Sequence, residues 1–102
     1  MKSLDEIRRQ LSGGEFDFSR HGFLRSIERN IAETEIRQCG SAVEIVEEYP
    51  DDKYSSSCLL LGFTKSGRPL HLQVSLAETG LLRIITVYEP NDQEWINFRE
   101  RK

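Results

Sequence analysis

The sequence predicts a single α+β domain, residues 1–102, with N-terminal helices, a four-stranded antiparallel β-meander and a C-terminal helix. The length of 102 residues with 37% hydrophobic side chains suits one modest core. The first forty residues carry apolar side chains at helical spacing, whereas residues 43–88 contain four short runs rich in β-branched and aliphatic residues. The links between these runs are too short for parallel crossovers, so we expect an antiparallel sheet.

Three helices are predicted before the sheet, each with a boundary signal. They span about residues 3–11, 19–29 and 33–39. Ser3 and Ser19 are typical N-caps of the first two helices. Asn30 suits a left-handed stop after the second helix, and Gly40 ends the third.

Four strands and a last helix follow. The predicted strands span residues 43–49, 57–63, 69–76 and 81–88, and the links between them are rich in Pro, Asp, Ser and Gly. The segment Asn91-Asp92-Gln93-Glu94 resembles a capping box, so a helix is predicted to begin near Asn91.

A turn at Ser66-Gly67 would fix the register of the central strands. A two-residue hairpin there would pair Phe63 with Leu70 and Leu61 with Leu72, which gathers the large apolar side chains on one face.

The opposite face would then carry Gly62, His71 and Thr86 in one row, with Tyr88 diagonal to His71. Gly62 would leave open space beside His71 for a ligand. The alternative is an ordinary half-exposed face partly covered by the last helix.

Composition excludes several classes of function. The 14 Lys+Arg against 17 Asp+Glu give a net charge of −3, which argues against non-specific binding to duplex nucleic acid. Neither a signal peptide nor a run of about 20 apolar residues is present, so we expect a cytoplasmic protein without membrane association. Cys39 and Cys58 lack metal-knuckle or redox spacing, and no cofactor motif occurs, so no metal and no cofactor are expected.

Two groups of residues suggest a site for a phosphodiester. His21, Arg25 and Arg29 recur every four residues and share one side of the second helix, where guanidiniums bind phosphate and an imidazole moves a proton. The alternative is a solvated helix face paired with nearby glutamates. Arg68 lies at a turn beside the strand that carries His71, and its alternative is an exposed turn residue.

An ordered set of motifs resembles an uncharacterised bacterial and archaeal family built on a domain of unknown function. The motifs are His21-x3-Arg25-x3-Arg29, Gly67-Arg68-Pro69-Leu70-His71 and Ile84-Ile85-Thr86-Val87-Tyr88-Glu89-Pro90 with Trp95 just after. Members of that family resemble RelE/BrnT-like toxins of toxin–antitoxin pairs. The resemblance implies a RelE-like small ribonuclease-type fold, metal-independent RNA cleavage and a small antitoxin as partner.

The resemblance also implies roles for single residues. His21 and His71 would be the acid and base, Arg25 and Arg29 the phosphate clamp, and Tyr88 a hydroxyl donor or stacking group. Arg68 joins Arg29 as an RNA-binding residue of the predicted site. The competing hypotheses are a non-catalytic module that binds a partner protein through its sheet face or edge, and a homodimer without ligand.

Overall fold

The computed structural model describes all 102 residues as three helices, a five-stranded mixed sheet and a separate two-stranded sheet. The helices are α1 (Leu4–Ser12), α2 (Arg20–Glu28) and α3 (Glu33–Gly40). The strands are β1 (Phe16–Phe18), β2 (Glu44–Tyr49), β3 (Ser57–Phe63), β4 (Pro69–Ser75), β5 (Leu82–Tyr88), β6 (Trp95–Ile96) and β7 (Glu100–Arg101). None of the three helices has the length and apolar character that a membrane span requires.

The three helices confirm the prediction, because their boundaries are set locally. The Ser3 hydroxyl accepts from the backbone N–H of Glu6 at 3.1 Å, and the Ser19 hydroxyl accepts from Gly22 at 3.0 Å. Asn30 has a φ of +53°, the left-handed stop expected after α2.

The sheet differs from the prediction by one strand. Its order is β1-β5-β4-β3-β2, in which β2 to β5 pair antiparallel and β1 pairs parallel with β5. The prediction of a purely antiparallel four-stranded sheet is therefore wrong. Three residues of β1 carry too little alternation to signal a strand, and their partners lie 66 residues further along the chain, as in the ion pair of Asp17 with Arg83.

The predicted register of β3 with β4 is wrong by one residue. Leu70 lies opposite Gly62, and Leu72 lies opposite Leu60. The turn is longer than two residues, since the Thr64 N–H bonds the Arg68 carbonyl at 2.9 Å. A shift of one residue sends every side chain of β3 to the other face, so Leu61 now shares a face with His71.

One sheet face packs against α1 and α3 and forms the main core. Fifteen buried residues make up this core, among them Ile7, Leu11, Ile36 and Leu72. Gly62 lies on this face, where a Cβ atom would come within 2.6 Å of the Cys39 Cβ. Gly62 therefore admits α3 to the sheet, and its predicted role as ligand space beside His71 was wrong.

The predicted C-terminal helix is replaced by a β-hairpin, which we call the C-terminal hairpin (β6, β7 and the loop between them). Asn91 does cap a turn, accepting from the Glu94 N–H at 2.9 Å, but the turn stops at Trp95. Asn97 and Phe98 then adopt φ values of +52° and +62°, which reverse the chain. The hairpin covers the second sheet face, and buried Trp95 packs there.

Candidate functional site

A buried histidine lies beneath the C-terminal hairpin. His71 is completely buried, with Nδ1 3.0 Å from the Tyr88 hydroxyl and Nε2 2.7 Å from the Phe98 carbonyl oxygen. A carbonyl can only accept, so Nε2 carries the proton of the neutral ring. Nδ1 is then the acceptor, and the Tyr88 O–H donates to it.

The environment keeps this pair neutral. Burial lowers the pKa of His71, although the Phe98 carbonyl and the Glu47 carboxylate act in the opposite direction. Burial also raises the pKa of Tyr88. At neutral pH the proton between the two therefore stays on the Tyr88 oxygen, and His71 Nδ1 has a lone pair ready to receive it.

The half-buried Tyr88 lines a pocket of about 350 Å³ at the end of β5. The pocket is lined by Arg29, Tyr88, Glu89, Pro90, Asn91, Glu94, Trp95 and Arg101. The guanidinium carbon of Arg29 lies 5.9 Å from the centre of the Tyr88 ring, and that of Arg101 lies 4.6 Å from the Trp95 ring. Two cations and two aromatic rings thus meet around one phenolic hydroxyl; we call this space the tyrosine pocket.

Both arginines are anchored by the fold and keep free donors. Arg29 follows α2, and its Nη1 donates to the Val87 carbonyl at 2.8 Å. This reach depends on Gly22, because a Cβ there would come within 2.6 Å of the Ile84 carbonyl oxygen on β5. Arg101 donates through Nε and Nη2 to Glu47 at 2.8 and 3.1 Å. Nη1 of Arg101 and Nε and Nη2 of Arg29 bond no protein atom, so they are available to a ligand.

Three of the predicted site residues come together and three do not. His71, Tyr88 and Arg29 meet as described. Arg25 lies about one helical turn before Arg29, and His21 lies about two turns before it. Each turn is about 5.4 Å long, so both side chains are displaced along the helix from Arg29. His21 is exposed and makes no hydrogen bond, and Arg25 pairs with Glu28 at 2.7 Å. Neither lines the tyrosine pocket.

Arg68 also lies outside the tyrosine pocket, where it connects three segments of the chain. Its guanidinium donates to Glu89 at 2.7 Å, to Glu35 at 3.0 Å and to the carbonyls of Arg29 and Asn30. All three guanidinium nitrogens are used, and these bonds hold the α2–α3 junction against the β3–β4 turn. Its position in the fold is that of a structural residue supporting Arg29.

Sequence reasoning missed Arg101 and Trp95 as site residues. Both lie in the segment that the sequence predicts as a helix beginning near Asn91. No local pattern could have found them, because the strands that carry them are only two residues long.

The tyrosine pocket offers phosphate and proton chemistry without a metal. Nowhere do three or more His, Cys, Asp or Glu side chains gather in a way that could hold a metal ion. Guanidiniums suit a phosphodiester, the aromatic faces suit a base, and the Tyr88–His71 pair can pass a proton out of the pocket.

Comparisons with known proteins give one relationship. No curated protein and no solved structure matches the chain. The sequence model of a family described as "Domain of unknown function (DUF4258)" matches residues 18–89, which include Arg29, His71 and Tyr88 and stop before the C-terminal hairpin. Because this match covers more than half of the sequence, the chain belongs to the DUF4258 family.

Proposed function

We propose that the protein is a metal-independent ribonuclease, the toxin-like component of a toxin–antitoxin pair. The observation that carries the proposal is the hydrogen bond from the Tyr88 hydroxyl to buried His71. The same hydroxyl belongs to the pocket that Arg29 and Arg101 line. A phosphodiester between two such cations has its charge balanced where it increases in the transition state. The toxin role, a RelE-like fold and a small antitoxin partner rest on the resemblance of the sequence motifs to RelE/BrnT-like toxins.

The proposed reaction uses the ribose 2′-hydroxyl of the RNA as nucleophile. The Tyr88 oxygen accepts the 2′-hydroxyl proton as its own proton passes to His71 Nδ1. The 2′-oxygen bonds to phosphorus, the bond from phosphorus to the 5′-oxygen breaks, and that oxygen takes a proton from water. The products are a 2′,3′-cyclic phosphate and a 5′-hydroxyl, and His71 returns its proton to solvent through Tyr88.

The remaining predicted residues act around this reaction. The imidazolium formed on His71 keeps its bond to the Phe98 carbonyl, and the negative charge of Glu47 favours it. His21 and Arg25, on the flank of α2 that leads to Arg29, would contact the RNA backbone outside the tyrosine pocket. Arg68 would hold Arg29 in position rather than bind RNA.

The test is cleavage of single-stranded RNA in EDTA by purified wild-type protein and by Tyr88→Phe. We expect wild-type cleavage with cyclic phosphate ends and a loss of roughly 10²- to 10⁴-fold in Tyr88→Phe, since the proton relay is removed. Thr86→Val is the matched control, because it removes a hydroxyl from the same strand and face without touching the tyrosine pocket. Failure of the wild type to cut RNA in EDTA, with no growth arrest on its induction in a bacterium, would overturn the proposal.

A second candidate is a non-catalytic protein-interaction module. A partner surface on the sheet face would need an exposed apolar patch, but the side chains that would form it are buried: Leu60, Leu82, Ile84 and Trp95. Helix α2 does expose neighbouring apolar side chains, and Phe23 and Ile27 there are 53% and 61% exposed. Sedimentation of the wild type and Ile27→Glu tests self-association through this surface. A concentration-dependent mass that is lost in the variant would favour the homodimer, and a constant monomer mass would count against it.

A further inference from the structure

The tyrosine pocket is the first of three neighbouring cavities on the second sheet face. Arg101 lines both the tyrosine pocket and a cavity of about 530 Å³. That cavity shares Asp52 and Gln73 with a third one of about 940 Å³, which we call the distal cavity. The shared residues place the three cavities in a row, which we call the groove.

The lining of the distal cavity suits a neutral heterocycle better than a phosphate. Arg83 is its cation, and Asp17 holds that guanidinium by two hydrogen bonds of 2.8 and 3.3 Å. The polar lining includes the Ser55 and Ser75 hydroxyls, and Ile85 adds an apolar surface. Uncharged hydrogen-bonding groups beside apolar surface are what a nucleobase requires.

Gln73 gives this cavity a fixed acceptor. Its Nε2 donates to Asp52 Oδ2 at 3.3 Å and to Ser57 Oγ at 3.1 Å. Flipping the amide would set its oxygen against the Asp52 carboxylate, so the orientation is determined. Oε1 has no partner in the protein and is not buried, since no buried side-chain oxygen lacks a hydrogen bond. It is therefore free to accept from a ligand in the groove.

A hydroxyl beside Gln73 supplies a donor. Ser55 Oγ and Ser75 Oγ lie 2.8 Å apart, and Ser75 Oγ also accepts from the Ala77 N–H at 3.2 Å. Two hydroxyl protons serve this pair and one is used between them, so the other can be donated to a ligand. An acceptor next to a donor complements an amino group next to an unprotonated ring nitrogen, which is the edge of adenine and cytosine. In the reversed orientation the same pair complements a ring N–H next to a carbonyl, which is the edge of guanine and uracil. The pair can therefore bind the edge of a base, and the direction in which the strand lies decides which of the two classes fits.

The spacing relates the two ends of the groove. Gln73 follows His71 by two residues on β4 and points to the same face, about 6.8 Å further along the strand. Thr86 and Tyr88 lie opposite these two residues on β5. A base in the distal cavity therefore belongs to a nucleotide adjoining the phosphate held at Tyr88.

We infer that the distal cavity is a base-selecting subsite for single-stranded RNA, in which Gln73 and the Ser55–Ser75 pair hydrogen-bond the base next to the cleaved bond and favour one class of base edge, that of adenine and cytosine or that of guanine and uracil. The inference rests on the proposed ribonuclease function and adds its specificity.

The test compares wild type, Gln73→Leu and the control Thr86→Val on an RNA pool with randomised sequence, cut in EDTA and read at the new ends. We expect the wild type and Thr86→Val to prefer one class of base edge, adenine and cytosine or guanine and uracil, roughly tenfold at one position beside the cut. Gln73→Leu should cut the pool with that preference lost. Cleavage without base preference, or preference retained in Gln73→Leu, would overturn the subsite and leave the ribonuclease proposal standing.

A binding measurement covers the case in which the wild type cuts nothing and the ribonuclease proposal fails. Fluorescence anisotropy with labelled hexamers of adenylate, cytidylate and uridylate is measured on the same three proteins. A roughly tenfold difference in affinity between the uridylate hexamer and the other two, abolished in Gln73→Leu, supports the subsite. Equal binding of all three hexamers, or no binding of any, overturns it.

Discussion

The two faces of the central sheet are built from alternate residues of the same strands yet differ in chemistry. The face against α1 and α3 is an apolar core that includes Leu70, Leu72 and Val74. On the other face, His71 and Gln73 of the same strand are hydrogen-bonded; Gln73 lines an open cavity, and His71 reaches the tyrosine pocket through its bond to Tyr88. One face thus supplies stability, whereas the other keeps polar groups in fixed orientations beside solvent, which a site requires.

The largest effect expected from this difference is on stability, through Leu72→Ala. Leu72 is completely buried in the main core, so its truncation should lower the free energy of unfolding by about 2–5 kcal/mol. Urea denaturation measures the loss, and RNA cleavage at low temperature, where the variant is folded, should stay near the wild-type rate. A large loss of cleavage in folded Leu72→Ala would mean that the two faces are not separable.

The reverse experiment uses two arginines of the C-terminal hairpin. Arg99 and Arg101 each pair with a glutamate of β2, but only Arg101 lines the tyrosine pocket. Exposed ion pairs contribute about 0–1 kcal/mol, so neither Arg99→Gln nor Arg101→Gln should unfold the protein.

The two variants should separate in activity. Arg101→Gln should slow RNA cleavage roughly 10²-fold, the usual effect of removing one transition-state donor, and Arg99→Gln should cut at the wild-type rate. Equal loss in both variants would indicate that the hairpin acts only as a lid that holds the second face together.

Lowering the pH should destabilise the protein through His71 on the second face at a higher pH than the one at which the carboxylates are protonated. Burial lowers the pKa of His71 below the 6.5 of an unfolded histidine, so below pH 6.5 the unfolded chain binds a proton that the folded one refuses. The stability is complete above pH 6.5 and falls as the pH drops, by at most about 1.4 kcal/mol per unit. The lowered pKa values of Glu35 and Glu47 act in a separate window below pH 4.5.

Urea denaturation of the wild type, His71→Gln and His21→Gln between pH 7.5 and 5 measures how steeply the free energy of unfolding falls with pH. His71→Gln should flatten the profile, and the exposed His21 should leave it unchanged on substitution. An unchanged slope in His71→Gln would show that His71 is not the group that resists protonation.

The features of the fold that could be predicted from the sequence are the ones that local contacts determine. The helices were predictable because Ser3, Ser19 and Asn30 act on their immediate neighbours. The face assignment of β3 was not, because it depends on the length of the turn that Thr64 and Arg68 close. Parallel β1 was missed because its strand signal is only three residues long.

The candidate site was predictable in part for a related reason. His71 and Tyr88 were found from their residue types on predicted strands, and their direct pairing required the true register. Arg101 and Trp95 were missed because Asn91 carries a real capping signal that the chain uses for a single turn. After that turn the chain forms a hairpin because Trp95 packs on His71. These two residues are 24 positions apart, and no local pattern encodes their contact.

The smallest expected effect concerns how charge is distributed on the second face. Arg29 and Arg101 line the tyrosine pocket and Arg25 would contact the RNA backbone beside it, so RNA binding should form about three ion pairs with phosphate groups despite the acidic net charge. The slope of log affinity against log salt would be about −2.1, or roughly 18-fold weaker binding between 50 and 200 mM salt. In a Tyr88→Phe background that prevents cleavage, adding Arg29→Gln should reduce this loss to roughly sevenfold. Arg9→Gln, on α1 and paired with Glu15, should not change it. A slope several times steeper, or one insensitive to Arg29, would mean that RNA is held by a different basic surface and that the second face does not carry the phosphate contacts.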